Sequence, residues 1–281
     1  MPCPHCGADN EPSYLRCRAC LSNRDQPITL LGVRTYHLRG LGYAVVAALA
    51  VYVAGRLLLA VALPLVGRSL VEQAAAGGAT ARDALHRLEL VGNLVAEWLL
   101  ALPAVLVIMW LWRARKNVDA FPETQVSDGA GWAIAGWLVP VANLIIPCRL
   151  VFQVARETVH RRWVKPVVAV WWTTYLAQSF GLLFFGGDRS AIRGDDFAAM
   201  AEYFDAQLLA GPVSWLVTTV SASCLAYLVL KVGPAQEARI ARGEAAHAQA
   251  AYATLAARAV TSVPADVPAG EQSPAGGTIQ V

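Results

Sequence analysis

The chain reads as an all-α membrane protein: a four-helix transmembrane bundle with a re-entrant or interfacial proline-broken segment, preceded by a small four-cysteine zinc ribbon. Three observations lead there. Of 281 residues, 56% are hydrophobic and only 15% charged, with a mean hydropathy of +0.44; a soluble domain is about 25% charged and needs that charge to cover its surface. Four apolar stretches are long enough to cross roughly 30 Å of hydrocarbon. Two Cys-x-x-Cys pairs stand near the amino terminus. As the main reading, this composition excludes disordered tails, secreted disulfide scaffolds and ordinary cytosolic enzymes, and a net charge of +3 is too small to argue for nucleic acid by itself.

Residues 1–24 are expected to form the ribbon. Cys3, Cys6, Cys17 and Cys20 can meet tetrahedrally around one Zn²⁺, with Gly7 letting the backbone fold over the first sulfur pair. So short a segment cannot bury a self-sufficient core, so metal binding, worth about 10–16 kcal/mol in zinc-finger peptides, has to supply the folding energy. Four thiolates leave no open coordination position, which makes the zinc structural rather than catalytic. His5 could replace a cysteine as a ligand, and two disulfides are the alternative in an oxidising compartment.

No apolar core suited to a secretory signal precedes residue 40. Residues 25–40 are a juxtamembrane linker, and the transmembrane domain covers 41–232, with spans at about 41–66, 91–112, 166–187 and 211–230. Each span is expected to be a helix, because backbone amides in lipid must be satisfied within the segment. Orientation follows from Lys and Arg: five lie in residues 1–40, eight in 113–165 and four in 231–281, against five in the two opposite loops, with Arg56 inside a span. The positive-inside rule then makes both termini cytoplasmic at the plasma membrane, where a reducing cytosol favours zinc thiolates over disulfides.

The outer loops are short, about 67–90 and 188–210, and the acidic residues of the second are read as solvated and helix-capping. Thr80 and Asp83 resemble a capping box that starts the second span's helix outside the lipid. Residues 233–260 suit an alanine-rich cytoplasmic helix with a weak apolar face of Ile240, Tyr252 and Leu255; residues 261–281 have the composition of a disordered tail. No internal repeat stands out.

Residues 131–147 do not fit a simple span. The stretch is apolar but broken by Pro140, Asn143 and Pro147, and basic residues flank it on both sides. A full crossing would put the second basic cluster outside, so the segment is expected either to enter and return or to lie in the interface. The motifs here, WLWRARKNVDAF followed by GWAIAGWLVPVANLIIPCRLVFQVARETV, resemble the domain of unknown function 4328 family of actinobacterial polytopic membrane proteins. The similarity covers roughly residues 40–232, with the ribbon as an added module. It implies a membrane bundle and no particular activity. By that resemblance Arg113, Arg115, Asn117, Trp132, Trp137, Pro140, Asn143, Pro147 and Glu157 are signature positions without assigned roles. The family pattern commonly has an aromatic after Asn143, where this chain has Leu144 and Ile145, which weakens any inference of stacking there.

Arg56 and Glu97 lie about 22 Å from the cytoplasmic ends of their spans at 1.5 Å per residue, so an intramembrane ion pair between them is expected. Ser214, Thr218, Ala222 and Ala226 form a small-residue stripe; Gln178 could hydrogen-bond to it or to Asn143.

No nucleophile–base pair, phosphate loop or catalytic metal motif is present, and the five histidines share no frame, so no enzymatic activity and no catalytic residue is expected. Two classes remain. The first is a membrane-anchored adaptor or sensor whose cytoplasmic ribbon engages a protein partner; three ribbon-region arginines are a thin footprint for nucleic acid. The second is a small transporter or channel using the proline-broken segment, which with four spans would require a homo-oligomer.

Overall fold

The computed structural model describes residues 1–77, 79–124, 126–180 and 196–261. The expectations for Asp188 and Asp195 in the second outer loop and for the tail from residue 262 fall outside the described residues. Those residues are helical apart from the amino-terminal ribbon, the linker and turns: α1 Arg39–Ala75, α2 Ala79–Val118, α3 Trp132–Leu138, α4 Pro140–Asn143, α5 Ile146–Val159, α6 Val164–Ser179 and α7 Phe197–Thr261. Among the described residues three helices, α1, α2 and α7, are long and apolar enough to cross a membrane. The expected third span corresponds to α6, whose 16 described residues reach about 24 Å.

Glycines set how closely the long helices approach. On the α1–α7 face, a Cβ at Gly211 would fall 2.9 Å from the Ala60 carbonyl oxygen, and one at Gly67 would enter the Phe204 ring. Between α1 and α2, Gly55 faces Leu99 and Gly92 faces Leu63. Small residues let helix backbones pack where lipid offers no hydrophobic drive. The stripe on α7 instead serves α6, because the Gln178 amide donates to Ser214 O at 3.1 Å and pairs with Thr218.

The helices also extend beyond the expected spans. A second apolar cluster, Val71, Ala74, Ala81, Leu85, Met200 and Phe204, joins the far ends of α1, α2 and α7. Asp196 caps α7 by accepting from Ala198 N at 2.9 Å, and Asp205 pairs with Arg68. Residues 197–210, read as loop, are therefore helical. The fourth span and the alanine-rich helix are one 65-residue element running through Pro212 and Pro234.

The proline-broken segment is a helical zigzag. Val139 is extended, with ψ of 117°, because Pro140 disfavours the helical region in the residue before it. Pro140 and Pro147 then each open a new helix, where a missing N–H has no consequence. The freed Leu144 carbonyl accepts a hydrogen bond from Trp172 Nε1 at 3.0 Å. Nearby, the Asn143 Oδ1 is buried without a partner.

Arg56 and Glu97 do not form the expected ion pair. No contact within 4.0 Å joins them, and Glu97 is exposed. Equal depth overlooked helix phase: Leu99, against Gly55, lies about 200° around α2 from Glu97.

The linker is strapped down rather than loose. Glu237 Oε1 of α7 accepts from Leu38 N and Arg39 N, both at 2.8 Å, and so caps α1, which has no side-chain cap of its own. Glu237→Ala is expected to cost about 0.5–2 kcal/mol, the range for losing an N-cap, read as a lower thermal midpoint in detergent; an unchanged midpoint would remove this role.

Candidate metal centre

Two short knuckles build the cysteine cluster, and their backbone repeats with an offset of fourteen residues. Gly7 N donates to Cys3 O at 2.8 Å and Leu21 N to Cys17 O at 2.9 Å; Cys3 N donates to Ala8 O at 2.8 Å and Cys17 N to Ser22 O at 2.9 Å. Isolated antiparallel bridges join Pro2 to Asp9 and Arg16 to Asn23. Gly7 and Leu21 both have positive φ, 77° and 61°. Glycine takes that conformation freely, whereas leucine does so at a cost of roughly 1 kcal/mol.

All four sulfurs lie within 4.8 Å of one another, with Cys3–Cys20 at 3.8 Å and Cys6–Cys17 at 3.7 Å. A tetrahedron with metal–sulfur bonds of about 2.3 Å has edges of about 3.8 Å. The cluster therefore fits a four-thiolate metal ion, and the cysteines are free, not paired as disulfides. Polar hydrogens already point at the sulfurs: Ala19 N and Asn10 Nδ2 each stand 3.4 Å from Cys17 Sγ, and Ser22 Oγ is 2.8 Å from Cys20 Sγ. The thiol of Cys6 is pushed up by its hydrogen bond to Cys20 and by burial, while that same bond pushes Cys20 down. Crowded thiols without a cation share protons instead of ionising together.

His5 is not part of this set. Its side chain is buried, with Nδ1 3.2 Å from Glu123 Oε1 and 3.5 Å from Arg239 Nη2. Burial, reinforced by the Arg239 charge, lowers its pKa and keeps the ring neutral near pH 7. Burial likewise raises Glu123, against the pull of Arg239.

The first knuckle is seated on the extension of α7. Arg242 donates from Nε to Pro4 O at 2.7 Å and from Nη2 to His5 O at 3.1 Å. Arg239 lies 4.2 Å over the Phe121 ring and 3.6 Å from Glu123 Oε2. One turn on, Gly243 admits Thr29 so closely that a Cβ would fall 2.1 Å from Thr29 Oγ1, and His247 Nε2 bonds Thr29 O at 2.9 Å. Arg239, Gly243 and His247 follow one another at intervals of four, which puts them on one helix face. Sequence reading missed this interface; the i, i+4, i+8 spacing was its only local signal.

The signature positions do not gather around the cysteines. Asn117 is fully buried and clamps the linker, accepting from Tyr36 N at 2.7 Å and donating to Tyr36 O at 2.9 Å. Arg115 holds the turn after α2 through Asp119 and through Asp128 O at 2.8 Å. Arg113 is half-buried, and Trp132 is exposed at the start of α3. Trp137 meets Trp172 and Tyr175 edge-on at 6.3 and 6.1 Å. Pro140, Asn143 and Pro147 shape the zigzag, and Glu157 pairs with Arg156 at 2.7 Å. These residues order the helix connections on the ribbon side; the Arg56 and Glu97 positions lie away from them.

Among known proteins, residues 1–24 match a family described as Domain of unknown function (DUF7577), which coincides with the two knuckles. No curated protein and no solved structure matches the chain. Residues 70–233 match the family described as Domain of unknown function (DUF4328), so the match begins near the end of α1 rather than at residue 40. It takes in α2 through the membrane part of α7, including every signature residue, and with more than half of its length matched the chain belongs to that family.

Proposed function

We propose that the protein is a plasma-membrane adaptor or sensor, both termini cytoplasmic, which presents a zinc-loaded ribbon to a cytoplasmic protein partner. One observation carries this reading: among the described residues the hydrogen bonds from α7 to the ribbon go to its first knuckle, through Arg242 and Arg239, and Leu15 and Leu21 of the second knuckle are 78% and 61% exposed. Zinc is the assignment because four-thiolate tetrahedral sites suit it and the cytosol keeps thiols reduced. The reading assigns no reaction and no catalytic residue.

A four-span topology accompanies it. Helix α6 runs antiparallel to α7, with Trp163 against Tyr227, the Ser221 hydroxyl on Trp171 O and Gln178 against Ser214. The zigzag is proposed as re-entrant from the cytoplasmic leaflet. Its flanks stay at the ribbon end, Asp128 O on Arg115 and Thr158 on Gln236, while Leu144 reaches Trp172, about 12 Å along α6. Leu138 and Val141, 75% and 73% exposed, suit contact with lipid.

The test is a crosslinked pull-down from native membranes, comparing wild type with Cys17→Ser. A protein partner lost with the ribbon while the bundle stays folded supports the adaptor. A lipid or solute held equally by both forms would favour oligomeric transport along the zigzag, where Asn143 Oδ1 and Trp137 Nε1 are buried without partners.

A further inference from the structure

We propose that Arg242, assisted by Arg239, is the counter-ion of the metal centre, so that metal loading of the ribbon and its seating on α7 are one linked equilibrium. This rests on the ribbon's holding a metal ion and does not depend on the adaptor reading.

A divalent ion held by four thiolates is doubly negative, and charge left without a partner away from bulk water is costly. The ribbon itself offers little compensation. Arg18, with its side chain 83% exposed, pairs with Glu11 at 3.2 Å, Arg16 is turned onto Leu21 O at 2.7 Å, and Arg24 donates to Pro12 O at 3.3 Å. Cations from α7 stand instead at the first knuckle. Among the described residues Arg242 has no carboxylate within ion-pair distance, and its guanidinium is held by Pro4 O and His5 O, the carbonyls of the two residues between ligands Cys3 and Cys6. Arg239 is shared between Glu123 Oε2 at 3.6 Å and His5 Nδ1, on the same knuckle, at 3.5 Å.

The carbonyl contacts bind the guanidinium only while the knuckle is folded, and the knuckle folds on its metal. Each event therefore favours the other by the same factor. Leu30 reports the seating from outside the metal site: its amide donates to Ala120 O at 2.8 Å, beyond the end of α2. When the ribbon lifts from α7, this bond is no longer held by the neighbouring Thr29–His247 contact.

The test uses the full chain in detergent, first shown to carry zinc; absence of zinc would count against the metal reading itself. Zinc affinity is then measured by competition with a chelator for wild type, Arg242→Gln, Arg242→Lys and, as a control, Arg18→Gln. Arg242→Gln is expected to weaken zinc binding about tenfold, or about 1.4 kcal/mol. Arg242→Lys should retain most of the affinity and Arg18→Gln all of it. In parallel, chelation should speed hydrogen exchange at the Leu30 amide in the wild type. Zinc affinity unchanged in Arg242→Gln, or a Leu30 amide that stays protected after chelation, overturns the linkage.

Discussion

Cys17→Ser is expected to unfold residues 1–24 while the helices remain folded. Cys17 is fully buried, and its sulfur accepts from Ala19 N and Asn10 Nδ2 and stands 3.7 Å from Cys6 Sγ. The ribbon has two knuckles, two isolated bridges and no sheet or helix, so little besides a bound metal ion could oppose chain entropy. Structural zinc sites contribute about 10–16 kcal/mol, far above what either knuckle's hydrogen bonds supply. Hydrogen exchange gives the check. Amides of Cys3, Gly7, Cys17 and Leu21 should lose protection in the variant, and those of α1 and α2 should not. Protection retained across the knuckles would mean that the ribbon folds without its metal.

Asn117→Ala is expected to carry the next largest effect. The side chain acts as a short strand, closing both the N–H and the C=O of Tyr36 from a site with no solvent access. Removing it leaves two backbone groups in need of partners, and a buried unsatisfied group costs about 1–3 kcal/mol. The linker at residue 36 lies just before Leu38 and Arg39, which Glu237 caps, so its release should also loosen the start of α1. A thermal midpoint lowered by several degrees, with faster exchange at Tyr36, is the expected result. Asn117→Asp should be nearly as damaging, because a carboxylate accepts from Tyr36 N but cannot donate to Tyr36 O. A midpoint equal to that of wild type would mean that Asn117 is only filling space.

Much of this arrangement was legible before any coordinates, for local reasons. The four ligands sit in two short motifs, so their spacing alone predicts a common site. The apolar stretches that became α1, α2 and the membrane part of α7 are set by composition. Pro140 and Pro147 break the zigzag where fixed φ and the lost N–H require it. Other features depend on information that spacing lacks. The fourteen-residue repeat escaped notice because outside the cysteines it is carried by backbone hydrogen bonds and not by shared residue types. Arg56 and Glu97 were matched by depth, while their contact depends on rotation about α2. The last span and the alanine-rich helix read as separate elements, about 211–230 and 233–260, yet α7 continues through Lys231 and Pro234, with Val229, Val232 and Gln236 buried along it. The seat of the ribbon joins residues more than two hundred positions apart, and on the ribbon it uses main-chain carbonyls, which no side-chain pattern announces.

The central claim is a four-thiolate metal centre held on the ribbon side of the membrane helices. Zinc K-edge X-ray absorption on the purified full-length protein tests it most directly. One zinc per chain with four sulfur neighbours at about 2.3 Å is the predicted result. A first shell containing nitrogen or oxygen, or a chain that carries no metal while Cys3, Gly7, Cys17 and Leu21 amides remain protected, would contradict it.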